Sequence, residues 1–357
     1  MTILSSLFES TRNAIPVIPP SRGLKQPYSG FTPRPAVTGD GFDDSRSQTS
    51  YLPLFPSRLP NIQNNMIRSN RDELEEVLAE TSLENKTVII ALVNKAYVEG
   101  EKSMLDLFLD SFWLGENTQA LKDHLLIVAL DQTSYERCKF LGLHCYKLET
   151  DGVDFAGEQY HLSDDYLKML GRRTLFLGDV LKRGYSFIFT DTDIMWLRNP
   201  FPRLNLDETL DLQISTDRFN GNERSKDNPI NAGFYMVRSN NKTIALFNSW
   251  YARKDNSTGM LDDQYVLQNL LKEPAVIDLG LTVRFLDTLY FSGFCQTSRD
   301  VRLVVTIHAN CCRSISAKVA DLTEVILGWK RFKRDSTIET LTDSSSKHVA
   351  CKNSWKD

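Results

Sequence analysis

The sequence predicts an α/β fold, a largely parallel sheet covered by helices and completed by a smaller mixed half. Three observations carry this. Apolar runs of strand length alternate with stretches of helical periodicity from residue 87 onward. One such run is apolar on both faces, as a central strand must be, and ends in two aspartates. Beyond residue 200 the strand-like runs shorten.

"TVIIALV" (87–93) reads as a buried strand, and "KSMLDLFLDSFWL" (102–114) has helical spacing of its apolar residues. "HLLIVALD" (124–131) is the next strand, "TSYERCKFLGL" (133–143) a short helix with a hydroxyl cap, and "HCYKL" (144–148) a third strand. "SDDYLKMLGRRTLFLGDVLKRG" (163–184) is a long amphipathic helix that Ser163 caps and Gly184 stops. "YSFIFTDTD" (185–193) follows as a strand, with Pro200 and Pro202 ending regular pairing. "LDLQIST" (210–216), "AGFYMVRS" (232–239) and "VRLVVTI" (301–307) are further strands, with helices near 241–253 and 262–272. Residues 1–64 are rich in Pro, Ser, Gly and Asn and read as a flexible tail or stem, and 331–357 reads as a polar C-terminal tail. A single domain over 65–330 lies between them.

Composition excludes several classes. The 357 residues carry 42 Lys plus Arg against 46 Asp plus Glu, a net charge of −4 with no basic block, so no nucleic-acid partner is expected. No apolar run reaches the roughly 18 to 20 residues of a membrane span. The N-terminus shows neither a basic leader nor a continuous apolar segment. Six cysteines are too few for a disulfide scaffold at this length, and none has zinc-ligand spacing. Cys311 and Cys312 are adjacent, which suits neither a shared metal nor a mutual disulfide. Sequons at Asn85, Asn241 and Asn256 are compatible with a secretory lumen.

Chemistry concentrates in "FIFTDTDIMWLRNP" (187–200). Residues i and i+2 of a strand share a face, so Phe187, Phe189, Asp191 and Asp193 point one way. The acids fall at the carboxyl edge, where open α/β sheets bind ligands. Two like charges this close need a cation or donors, and a divalent metal with oxygen ligands is one answer; a solvated turn is the other. A haloacid-dehalogenase-like phosphotransferase also places Asp-x-Asp after a strand. That family wants Thr or Val where Met195 stands, and its motif opens the fold, whereas βα structure from residue 87 precedes it here.

Five blocks occur in order: "YLKMLGRRTLFLGDVLKRGYSFIFTDTDIMWLRNPFPR", "NAGFYMVRSN", "LDDQYVL", "RFLDTLYFSGFC" and "HANCC". Together, over roughly residues 85–330, they resemble the plant nucleotide-diphospho-sugar transferase family. These GT-A glycosyltransferases include rhamnogalacturonan xylosyltransferases and extensin arabinosyltransferases. The resemblance implies a GT-A-type, Rossmann-like mixed sheet flanked by helices in one domain. It implies a metal-dependent enzyme that moves a sugar, with pentoses favoured by kinship, from a UDP-sugar to a glycan or glycoprotein hydroxyl. It further implies Mn²⁺ or Mg²⁺ as cofactor, retention of configuration, and a Golgi lumen with a type II anchor. No anchor or signal is visible, so the cytoplasm stays open. A catalytically inactive glycan- or nucleotide-binding relative is the alternative.

By the same resemblance Asp193 binds metal, Asp191 contacts metal or ribose, and His308, beyond "VRLVVTI", is the third ligand rather than a structural histidine. Lys168, Arg172 and Arg173 lie on the helix before the acidic strand, either as a solvated basic face or with Arg172 or Arg173 against donor phosphate. Asn231 and Gly233 either make a plain turn or line the sugar pocket. Asp262, Asp263 and Gln264 either cap a helix or stand near donor sugar and acceptor, where Asp263 or Gln264 would stabilise an oxocarbenium-like centre. The donor base is expected near Val93, Asn94 and Tyr97, which could equally be a surface loop.

Overall fold

The computed structural model describes residues 72–150, 152–158, 163–207, 209–255, 263–335, 337 and 348–356. The stem expected over 1–64, the sequon at Asn256 and Asp262 lie outside these residues. The elements are α1 (Glu73–Thr81), β1 (Thr87–Val93), α2 (Lys95–Val98), α3 (Met104–Leu114), β2 (Leu125–Ala129), α4 (Gln132–Phe140), β3 (His144–Lys147) and α5 (Asp164–Lys182). Then come β4 (Ser186–Thr190), β5 (Ile194–Trp196), β6 (Leu212–Thr216), β7 (Ile230–Val237), α6 (Asn241–Asp255), α7 (Asp263–Leu270) and α8 (Pro274–Ile277). The chain closes with β8 (Val283–Phe285), β9 (Phe291–Gly293), β10 (Thr306–His308), α9 (Ile315–Arg334) and α10 (Val349–Asn353).

A seven-stranded sheet in the order β3-β2-β1-β4-β7-β6-β8 forms the centre. β1 pairs in parallel with β2 and β4, while β7 runs antiparallel to both β4 and β6, giving the mixed GT-A-type sheet. Alternation along the strands feeds two cores. Ile89, Ala91 and Ile188 pack with Phe108 and Phe112 of α3 and with Leu322, Val325 and Trp329 of α9. Val88, Ile90, Phe187 and Phe189 pack with Leu177 and Val180 of α5 and with Phe247 and Trp250 of α6. Ser163 caps α5 by accepting from the Tyr166 amide, and Gly184 ends that turn with φ of 83°.

Three expectations about the elements change. The strand expected over 185–193 stops at Thr190, and the acids sit in the turn beyond it. The Asp191 amide makes the last bond, to the Gly233 carbonyl, before the chain leaves for a second sheet ordered β5-β10-β9. The strand expected over 301–307 shrinks to Thr306–His308, so His308 is its last residue. The region read as a polar tail carries the end of α9 and the separate α10, whose Cys351 is buried. Polar composition hid this because the anchors are a carboxylate and a disulfide: Asp321 accepts from the Cys351 amide at 2.8 Å, and Cys351 bonds Cys312.

The cysteine reading also changes. All six pair, as Cys138–Cys145, Cys295–Cys311 and Cys312–Cys351. Cys311 and Cys312 avoid each other, as expected, yet each finds a distant partner that folding brings to a Cα separation of 5.3 Å and 4.6 Å. Among the described residues no helix is long and apolar enough to cross a membrane.

Candidate active site

The end of β4 aims the chain at the carboxyl edge of the sheet, and the turn Asp191-Thr192-Asp193 closes there with the Ile194 amide bonded to the Asp191 carbonyl at 3.3 Å. β5 then pairs antiparallel with β10 so that Ile194 stands opposite His308. The Ala309 amide bonds the Asp193 carbonyl at 3.0 Å, which locks the two segments together. His308 Nε2 lies 3.2 Å from Asp193 Oδ1 and 4.0 Å from Asp191 Oδ2. One ligand atom from each of the three residues lies within 4.8 Å of the others. Two carboxylates and one imidazole, an O/O/N set of hard and borderline donors, fit a divalent ion such as Mn²⁺ or Mg²⁺.

Glycine is required beside this cluster. A Cβ on Gly233 would sit 2.5 Å from His308 Cε1 and 2.8 Å from Asp191 Oδ2, so any side chain there displaces both.

Two cations border the acids. Lys318, on α9, places Nζ 2.8 Å from Asp193 Oδ2, leaving Oδ1 to face His308. Arg173 is buried on α5, pairs tightly with Asp263, and brings Nη1 to 3.7 Å from Asp191 Oδ1. Its guanidinium lies 4.8 Å from the Phe189 ring centre. The structure thus places Arg173, rather than Arg172, toward the acids; Arg172 is half-buried and Lys168 exposed beside Asp165.

The charges perturb one another. Burial and the Asp193 charge push the Asp191 carboxyl up to about 6, against the pull of Arg173, His308 and Lys318. Burial disfavours ionised Asp193 as well, yet Lys318 and His308 hold it far below the usual carboxylate range. Burial opposes the charged forms of His308 and Lys318, and Asp193 outweighs it, raising both. Burial also pushes the Tyr97 hydroxyl up to about 12, with Lys318 opposing and Asp193 adding to the shift.

The remaining residues fall into two groups. Asp263 is buried against Arg173, and its carbonyl accepts from Trp250 Nε1 at 2.9 Å, so it braces α5 and α6 against α7. Gln264 and Asn231 turn instead toward Asp217, at 3.2 Å and 2.9 Å. Asn94, at the end of β1, spends both amide hydrogens on the carbonyls of Phe155 and Gly157, fastening the 152–158 segment. Its buried Oδ1 has no partner among the described residues. A small pocket lined by Ser215, Thr216, Asn231, Ser292, His308 and Asn310 adjoins the cluster.

Sequence reasoning missed Lys318, Asp217 and Asn310. Asn310 lies inside the "HANCC" block, and Asp217 follows an apolar strand directly, the same signal that exposed Asp191. Lys318 offered no signal, because only the packing of α9 brings it to Asp193.

A mixed sheet of this order, with an acidic turn at its carboxyl edge, is a GT-A-type arrangement. Residues 120–322 match the model of the nucleotide-diphospho-sugar transferases, and the protein belongs to that family. It is similar to two uncharacterised Arabidopsis thaliana proteins. At1g28695 is 54% identical over 80% of this chain and 85% of its own, and At4g15970 is 42% identical over 73% and 68%. The Arabidopsis thaliana β-arabinofuranosyltransferase RAY1 is 24% identical over 67% of this chain and 44% of its own length.

Proposed function

We propose that the protein transfers a sugar, a pentose by its likeness to an arabinofuranosyltransferase, from a UDP-sugar to a hydroxyl of a glycan or glycoprotein, with retention of configuration. The observation that carries the reading is the convergence of Asp191, Asp193 and His308 with the cations Lys318 and Arg173 at one sheet edge. Asp191, Asp193 and His308 would hold Mn²⁺ or Mg²⁺, which as a Lewis acid offsets the charge that develops on a departing nucleoside diphosphate. Lys318 compensates Asp193 and supplies a second positive charge toward that leaving group. Arg173 keeps Asp191 oriented while Asp263 compensates the guanidinium. Because Asp263 is committed to Arg173, a free carboxylate nucleophile at this position is disfavoured, and Gln264, held by the Ala232 amide and by Asp217, would act as a fixed dipole beside the sugar. Tyr97, half-buried beside Lys318 and Asp193, is the stacking surface for the base.

An oxidising lumen such as the Golgi suits three disulfides, which a reducing cytosol would open. Exposed Asn85 and Asn241 are accessible to the modification their sequons permit. The reading is tested by calorimetric titration of UDP with and without Mn²⁺. Affinity enhanced by the metal, and lost in Asp193→Ala, supports the transferase. Metal-independent UDP binding, or binding of free glycan alone, refutes it in favour of an inactive binding relative. A screen of UDP-sugars for hydrolysis then identifies the donor.

A further inference from the structure

Three primary amides from three different elements converge on one carboxylate beside the cluster. Asn231 Nδ2 (on β7) and Asn310 Nδ2 (after β10) donate to Asp217 Oδ1 at 2.9 Å and 2.8 Å. Gln264 Nε2 (on α7) donates to Oδ2 at 3.2 Å. The orientation of each amide is settled by its other end. Asn231 Oδ1 accepts from the Gly233 amide, Gln264 Oε1 from the Ala232 amide and Asn310 Oδ1 from the Cys295 amide, each at 3.0 Å. With their oxygens fixed on backbone N–H groups, all three can present only N–H to Asp217.

A carboxylate offers about four lone-pair positions. Three are filled, and the open one lies on Oδ2, the oxygen with a single and longer bond. Asp217 is half-buried, so this position is reachable, and among the described residues no cation pairs with it. A divalent ion would want several further oxygen ligands here, whereas the neighbours offer N–H groups. The open acceptor suits one neutral hydroxyl donor.

Its place narrows the source of that hydroxyl. Asn231 is two residues from Gly233, whose backbone lies against His308 and Asp191, and Asn310 is two residues beyond His308. Asp217 is therefore coupled to the metal-ligand turn through both of its Oδ1 partners, one step away from the leaving-group side.

We infer that Asp217 is a sugar-binding residue, whose Oδ2 accepts a hydrogen bond from a hydroxyl of the transferred sugar or of the acceptor sugar. The inference rests on the transferase reading above and adds a specificity element outside the metal ligands. The three amides aim the carboxylate and restrict its rotation, so the geometry of the hydroxyl is selected rather than merely tolerated.

Asp217→Asn tests it. The substitution preserves shape, and its oxygen at the Oδ1 position keeps the bonds from Asn231 and Asn310. Its NH₂ group converts the open acceptor into a donor and gives up the longer bond from Gln264. Affinities are measured by calorimetry with Mn²⁺, using UDP and the UDP-pentose that the wild type hydrolyses fastest; acceptor KM is measured with methyl pentosides. UDP affinity is expected to stay within about twofold, as a sign that fold and cluster are intact. The sugar-dependent quantity should fall by about 10- to 100-fold, the factor one hydrogen bond to a charged group carries. Loss of the UDP-pentose advantage over UDP assigns the hydroxyl to the donor, and a raised acceptor KM at unchanged donor affinity assigns it to the acceptor. Wild-type values for both overturn the inference and leave Asp217 a structural tie. If asparagine unfolds the chain, Asp217→Ser, which removes the carboxylate, is read the same way. Failure of the transferase reading looks different, since wild-type UDP binding would then be absent or indifferent to Mn²⁺.

Discussion

Replacing Asp191 with asparagine should stabilise the metal-free protein while removing its response to metal. In the chain without metal, burial and the charge of Asp193 push the Asp191 carboxyl from 3.8 to about 6. A carboxyl that must ionise against such a shift costs the folded state up to about 3 kcal/mol at pH 7. The side chain is 37% exposed, so solvent screening reduces this to roughly 1–2 kcal/mol. Asparagine removes the charge at nearly constant volume, and the melting temperature in chelator should rise by about 2–8 °C. The sign follows from linkage. Folded Asp191 binds its proton more tightly than unfolded Asp191, so its favourable contribution is complete below about pH 4 and lost as pH rises through 6. The variant's advantage must therefore shrink between pH 7 and pH 4.5. With Mn²⁺ and UDP at about 100 times their Kd, the wild type should gain about 2.7 kcal/mol and the variant little, so the order of stability reverses. Differential scanning fluorimetry at two pH values, with chelator or with Mn²⁺ and UDP, reads all four quantities. A variant less stable than wild type in chelator at pH 7, or one that Mn²⁺ and UDP stabilise equally well, refutes the electrostatic account of the turn.

Arg173→Met leaves the Asp263 carboxylate buried without its partner and should cost about 3–5 kcal/mol in urea unfolding, most of it recovered in the double variant with Asp263→Asn. Lys318→Met withdraws the ammonium from Asp193, so the melting temperature in chelator should fall and Mn²⁺ should restore a larger share of it than in the wild type; an unchanged response to Mn²⁺ speaks against compensation by Lys318. Mn²⁺ affinity of the wild type should decline by more than about tenfold per pH unit below 6, with up to two protons released on binding, because Asp191 must ionise and His308 must lose its proton to serve as ligands; calorimetry in buffers of different ionisation enthalpy counts those protons. Cys351→Ser opens the longest disulfide loop, spanning 39 residues, and should lower stability by up to about 4 kcal/mol, read by denaturant unfolding against the oxidised wild type.

Much of the architecture was legible because burial writes a period into the chain. The apolar run of β1, the Ser163 cap and the Gly184 stop each leave a local mark, since side chains alternate in a strand and recur every turn in a helix, whereas the expected shortening of strands after residue 200 fails at the eight-residue β7. Asp191 and Asp193 were legible for the complementary reason: paired charges at the end of an apolar run conflict with the local pattern, and conflicts of this kind mark function. Harder to read were features whose meaning lies in a distant partner. Arg172 and Arg173 are equivalent in sequence, and only the rotation of α5 against β4 decides that Arg173 faces the acids. Lys318 lies on a helix that the sequence reading did not assign, and the pairing of Cys312 with Cys351 across 39 residues converts an apparent tail into part of the domain.

The sequence by itself determined the class of fold, the elements from β1 to β4 apart from the short α2, and the residue types from which a cation site could be made. Tertiary structure decided which of those residues meet: β5 against β10 carries His308 to Asp193, α9 brings Lys318, and three amides from β7, α7 and the segment after β10 enclose Asp217. The reason is physical. Periodicity and capping are interactions between near neighbours in the chain, whereas a site is assembled by contacts whose sequence separation no local pattern encodes.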